Sequence, residues 1–136
     1  MSGPNNYNQQ IIKQFRANGG TTDYPGQLVL LTTTGARSGQ RRTTPLMYVA
    51  DRDRLLVIAS NAGAPAHPDW YRNLLAHPEA TVEVGADTYD VRAVVLEGAE
   101  RQQLWDKIVE SYPFFTEHQA KITREIPVIA LERQAA

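Results

Sequence analysis

The chain contains no cysteine. That single absence removes disulfides, thiolate-bound metal, iron–sulfur clusters and a thiol nucleophile, and it fits a cytosolic protein. No apolar run approaches the roughly 18 residues that a membrane span needs. The opening MSGPNNYNQQ lacks the apolar stretch of a signal peptide. Charge of one sign is also missing: 14 Lys and Arg against 15 Asp and Glu give a net charge of −1, which argues against a general nucleic-acid binder. There is no internal repeat, no low-complexity segment, no GxxxxGK[ST] loop and no GxGxxG turn leading into a βαβ unit. At 136 residues, one domain with a single core is the default.

What is present centres on residues 28–45, LVLLTTTGARSGQRRTTP. Four apolar residues and three threonines read as a buried strand. The run breaks at Gly35-Ala36-Arg37-Ser38-Gly39, where two glycines permit a tight turn with several N–H groups on one side. Arg37, Arg41 and Arg42 lie in or just after it, and a second strand is predicted over 43–50. Guanidinium groups make paired bonds to phosphate or carboxylate, so the turn reads as an anion cradle. A solvated basic hairpin is the other reading of the same residues.

The remaining pattern predicts a disordered start over 1–6, an amphipathic helix over 7–16 carrying Tyr7, Ile11, Ile12 and Phe15, and a linker over 21–26. That helix has three readings: packing on the domain, covering a site, or touching a membrane surface. Further strands are predicted over 55–60, 81–84, 88–96 and 126–131, and helices over 69–76, 98–111 and 114–124. Pro68 and Asp69 suit a helix start. Leu104, Trp105, Ile108, Val109 and Tyr112 form one apolar stripe, which makes Trp105 a core residue. Short turns predominate, so the fold is expected to be α+β, mainly β with flanking helices, its mostly antiparallel sheet able to curl into a small barrel. His67 and His77 each precede proline and flank the WYRNL helix; with no third ligand nearby they make a poor metal site, and no metal is expected.

The stretch LTTTGARSGQRRTTPLMY, followed by VIASNAG, HPDWYRNLLAHPEATVEV and ESYPFF, closely resembles the deazaflavin-dependent nitroreductase family of actinobacteria, which also includes quinone reductases. The resemblance spans residues 28–131. It implies an FMN-binding-like split β-barrel using coenzyme F420, over residues 21–136, preceded by a tail and amphipathic helix over 1–20. F420 carries a phosphodiester and a polyglutamate tail, which accounts for the arginines. Carried over by position, Ala36, Arg37, Ser38 and Arg42 hold the phosphate. Thr43, Thr44, Pro45, Leu46 and Met47 run along the cofactor. Ile58, Ala59, Ser60 and Asn61 face the ring, and Asp69, Trp70, Tyr71, Arg72 and Asn73 pack at its other side. Asn61 stands where some relatives have lysine, with Arg41 as the compensating cation.

The implied chemistry is hydride transfer from the deazaflavin, in which the protein orients rather than reacts. Such a site needs an apolar cleft and a hydrogen-bond donor for the developing oxyanion. Ser60 and Tyr112 are the candidate catalytic donors. Met47, Trp70, Tyr112, Phe115 and His118 form the expected acceptor pocket; Met47, Phe115 and His118 replace tyrosines of some relatives. That exchange favours quinones or conjugated enones, with nitroaromatics as a third class. The expectation is a cytoplasmic F420-dependent oxidoreductase, monomer or homodimer, with a small-molecule acceptor and the first helix available for peripheral contact at the inner face of the membrane. The alternatives are an FMN protein of the wider split-barrel group and a deazaflavin carrier without turnover.

Overall fold

The computed structural model describes residues 4–22 and 27–134, with side chains from Tyr7 onward. Residues 1–3 and 23–26, half of the expected disordered start and most of the expected linker, lie outside the described residues; residues 4–6, expected to be disordered, are helical. Helix α1 (Pro4–Ala17) precedes strands β1 (Leu28–Thr34), β2 (Arg41–Met47), β3 (Val49–Asp51) and β4 (Arg54–Ile58). Helix α2 (Asp69–Ala76), strands β5 (Glu79–Val84) and β6 (Asp87–Val95), helices α3 (Gly98–Ser111) and α4 (Phe114–Ala120) and strand β7 (Val128–Arg133) follow. The strands form one sheet in the order β2-β1-β5-β6-β7-β4-β3, and every neighbouring pair is antiparallel. β2, at one edge, approaches β4 near the other, so the sheet curls into the expected split barrel.

Strand alternation explains why Leu28 to Leu31 form an unbroken apolar run. Side chains point to opposite faces in turn. Val29 and Leu31 enter the barrel interior with Leu55, Val57, Val82, Val91, Ile129 and Leu131. Leu28 and Leu30 face the other way, onto Ile11 and Phe15 of α1. The outer faces of β4 and β7, through Leu56, Val128 and Ala130, take α3 and α4 by way of Trp105, Ile108 and Phe115. Full burial of each such large apolar side chain contributes about 1.5–3 kcal/mol.

Helix α1 starts at Pro4 rather than Tyr7, because proline is well placed in the first turn of a helix. Its far end is pinned by Arg16, whose Nε and Nη2 donate to the Glu83 carboxylate at 3.0 and 2.8 Å. Gly20, at φ +102°, leaves the helix against Gly85; a Cβ there would lie 2.7 Å from the Gly85 Cα, so this approach requires glycine.

The strand predicted over 43–50 is instead two, β2 and β3, separated at Tyr48. Its start moves back because the Gly35 N–H donates to the Gln40 carbonyl at 2.8 Å, which closes the turn early and places Arg41 and Arg42 in the strand, opposite Thr34 and Thr33. Pro45 is tolerated because β2 is an edge strand. Helix α4 ends at Ala120, not residue 124. The Gln119 amide donates to the Arg124 carbonyl at 2.8 Å and accepts from the Ile126 N–H at 2.9 Å, turning the chain toward β7. No helix among the described residues is long and apolar enough to cross a membrane.

Candidate functional site

Two adjoining cavities open between α1, β2, the segment after β4 and α2. One, of about 350 Å³, is lined by apolar and aromatic groups that include Ile11, Leu28, Leu46, Met47, Ile58, Trp70, Phe114 and Phe115, with Ser60 and His118 as polar members. The other, of about 730 Å³, is lined by Gly35, Ala36, Arg37, Ser38, Arg42, Thr43, Thr44, Asp69, Arg72 and Asn73. Asn8 and Trp70 border both. The two cavities are neighbours, one greasy and the other cationic. Helix α1 walls both parts, through Tyr7 and Ile11 on one and Gln9 and Ile12 on the other.

The cationic end is built by tying the glycine turn to α2. The Ala36 N–H donates to Asn73 Oδ1 at 3.0 Å, and Asn73 Nδ2 donates to the buried hydroxyl of Thr33 at 3.1 Å. One amide thereby fixes the turn, β1 and α2 together. Arg37 and Arg42 line this end, and Arg72 adds a third cation from α2.

The apolar end depends on a strained segment. Asn61, Ala62 and Gly63 are consecutively left-handed, at φ 50°, 54° and 81°. For the first two, side-chain sterics oppose this conformation by roughly 1–2 kcal/mol each, less for asparagine. Arg124 holds the segment in place. Its guanidinium donates to the carbonyls of Ala59, Ser60, Ala64 and Pro65 at 3.2, 3.0, 3.0 and 3.1 Å. It also meets His67 Nδ1 at 3.1 Å. Nothing in the sequence pattern marks Arg124, which shares its polar connection with Lys121; only the fold brings it to residues 59–67.

His67 accepts from Arg124 only while that nitrogen is unprotonated. Burial pushes its pKa below the ordinary histidine value, and Arg124 and then Arg72 push the same way. Its ring packs on Tyr71 at 4.7 Å between centroids, and burial raises the Tyr71 hydroxyl. In the unfolded chain His67 returns to about 6.5. The unfolded state therefore binds more protons between the two values. The contribution of His67 to stability is complete above about pH 6.5 and is lost as pH falls through the lowered folded value. The thermal midpoint is expected to drop between about pH 7.5 and 5.5, and His67→Asn, which keeps an acceptor without the titration, is expected to shrink that drop. Equal drops in the two proteins would contradict this.

Most of the residues expected at the site converge on the two cavities. Ala36, Arg37, Ser38, Arg42, Thr43, Thr44, Asp69, Arg72 and Asn73 line the cationic one; Pro45, Leu46, Met47, Ile58, Ser60, Asn61, Phe115 and His118 line the apolar one. Ser60 is buried and makes no capping bond to the following turn.

Four expected residues lie elsewhere. Ala59 alternates into the barrel interior, and Tyr71 faces the same core. Arg41 donates to Thr34 and Thr81 hydroxyls at 3.2 and 3.0 Å, outside both cavities. Tyr112, expected as donor and wall, stands behind the wall: it packs edge-on to Phe114 and Phe115 at 6.1 and 6.5 Å, and Phe114 takes the lining position. Asn61 spends its amide on the Ala66 carbonyl at 3.0 Å.

A family model described as F420H(2)-dependent quinone reductase matches residues 7–133. The F420H(2)-dependent quinone reductase Rv1261c of Mycobacterium tuberculosis is 38% identical over 109 residues, 78% of this chain and 73% of that protein. Among solved structures, an F420-H2 dependent reductase is 44% identical with a TM-score of 0.71, covering 78% of this chain and 94% of that one. Another, described as a domain-swapped dimer, is 38% identical with a TM-score of 0.74, covering 96% of this chain and all of that one. HutZ of Vibrio cholerae, at 16% identity and a TM-score of 0.61 over 92% of this chain and 89% of that one, shares the fold alone. The chain belongs to the F420H(2)-dependent quinone reductase family.

Proposed function

We propose that this protein binds coenzyme F420 across the two neighbouring cavities and reduces a flat apolar acceptor, a quinone first of all, at the greasy one. The observation that carries this is their adjacency: a cavity bearing Arg37, Arg42 and Arg72 opens beside one walled by Met47, Ile58, Trp70 and Phe115. A ligand with an acidic tail and a planar head fits that division. When bound, the deazaflavin supplies a hydride from its ring carbon.

The chain's own residues bind and orient. The arginines neutralise phosphate and carboxylates through forked bonds. Arg72 supplies positive charge on the α2 side of the cationic cavity. Ser60, buried at the rim of the apolar cavity, is placed to donate to an oxygen on which charge develops, and the water-poor wall strengthens that bond. Tyr112 shapes the wall through Phe114 and Phe115. The domain reading that follows is a deazaflavin-binding barrel from residue 21 onward with α1 as its cover.

Two broader readings have narrower support. The 38% identical structure described as a domain-swapped dimer supports a homodimer. Tyr7 and Phe114, large exposed aromatics at the apolar cavity, support peripheral contact with a membrane, which co-sedimentation with lipid vesicles tests. The reaction itself is tested by anaerobic mixing with reduced F420. Menadione is expected to speed oxidation of the bound cofactor well above the protein-free rate; binding without any such acceleration would make the protein a carrier.

A further inference from the structure

We propose that His118 donates a hydrogen bond from Nε2 to the carbonyl oxygen of the acceptor; the assignment rests on the F420-dependent quinone reductase reading and names one group that recognises the acceptor. Two observations carry it. His118 lines the apolar cavity, and its Nδ1 is sealed from solvent with no hydrogen-bond partner. No acceptor among the described residues lies within reach of Nδ1, so an N–H there would be stranded, and a neutral imidazole already favours the Nε2–H form in water. The neutral ring therefore carries its hydrogen on Nε2, the nitrogen not sealed in this way.

The ring is also held still. Phe114 and Phe115 clamp it edge-on, at 5.5 Å and 65° and at 5.9 Å and 84°. Its backbone rests on the left-handed turn: a Cβ at Gly63 would sit 3.4 Å from the His118 Cα and carbonyl oxygen. The His118 turn of α4 thus packs in ordinary contact on residue 63, where φ +81° favours glycine. A fixed donor in this cavity, beside Ser60, discriminates, because a polar group left unpaired there is penalised. A carbonyl acceptor satisfies it and a hydrocarbon of the same shape does not.

In the reaction the acceptor gains two electrons and one hydrogen as hydride. Reduced F420 would be oxidised as its hydride leaves, the acceptor's displaced electron pair would settle on the carbonyl oxygen, and water would supply the single proton that completes the reduction. His118 gives up no proton; it stabilises that oxygen while the charge builds.

The test combines spectroscopy and kinetics. In protein labelled with 15N-histidine and loaded with oxidised F420, the His118 signals are expected to show the Nε2–H tautomer, and menadione is expected to shift Nε2. His118→Phe, which keeps an aromatic ring in the clamp, is expected to lower kcat/KM for menadione roughly tenfold or more, with F420 affinity within about twofold. His118→Gln, which restores a donor, is expected to recover part of the loss. An Nδ1–H tautomer, an Nε2 signal unmoved by saturating menadione, or a His118→Phe variant as fast as its parent would each overturn the assignment. A parent protein unable to oxidise reduced F420 with menadione would overturn the underlying reading as well, so the two failures are told apart.

Discussion

Arg124→Leu is expected to destabilise the protein by about 3 kcal/mol and to weaken acceptor and cofactor handling together. Five acceptors converge on this guanidinium: four carbonyls, of residues 59, 60, 64 and 65, and the His67 ring. Ala59 and Ser60 are buried, so their carbonyls cannot all turn to water when the cation is removed. A bond to a charged donor is worth about 1.5–3 kcal/mol. The sum over five is far smaller than five such terms, because Arg124 is itself only half-buried and the contacts are shared.

A second effect adds to the first. The left-handed backbone at Asn61 and Ala62 persists only where its surroundings over-determine it, and Arg124 is the main surrounding group. Its loss is expected to let residues 59–64 relax, carrying Ser60 away from the cavity. Urea denaturation checks the stability change and menadione kinetics checks the site; a loss under about 1 kcal/mol with unchanged KM would contradict both. Arg124→Lys is expected to rescue little, because one ammonium cannot reproduce a planar fork with five donors.

Arg42→Ala is expected to weaken F420 binding by about 1.5–3 kcal/mol, roughly 10- to 150-fold in Kd. Arg42 stands on edge strand β2 and lines the cationic cavity. Its near neighbour gives the control. Arg41 is engaged with Thr34 and Thr81 outside both cavities, so Arg41→Ala is expected to leave Kd within about twofold. Fluorescence titration of the two variants at low and moderate salt distinguishes them, and only Arg42 is expected to carry a salt-sensitive share of the affinity. Equal losses for the two would mean that overall charge, not position, governs binding.

The residues that punctuate the chain made much of the fold legible. Pro68, Gly98 and Pro113 bound α2 and α3 where the sequence predicts them. The glycine turn and Arg42 stood out in the sequence by residue type and density, and the structure places them on the cationic cavity. Other positions were legible in principle. Ile58 and Ser60 reach the cavity while Ala59 points into the barrel, which strand alternation requires. Tyr71 and Leu74 face the core while Asp69, Arg72 and Asn73 face the cationic cavity, as helical spacing allows. Tyr112 continues the apolar stripe of α3 and belongs with its core, whereas Phe114, past the proline, starts a new direction. Arg124 and the sealed Nδ1 of His118 were not legible at all. Their meaning lies in which distant backbone groups come near, and no local pattern encodes that.

The proposed site holds the acidic tail of F420 in the cationic cavity and its planar head in the apolar one, and family membership favours F420 over FMN. Parallel titration of the purified protein with F420 and with FMN, followed by fluorescence, tests it most directly. Saturable binding of F420, weakened by Arg42→Ala, with no measurable FMN binding is the predicted result. Protein that is purified already carrying FMN, or that leaves F420 fluorescence unchanged at every concentration, would contradict it.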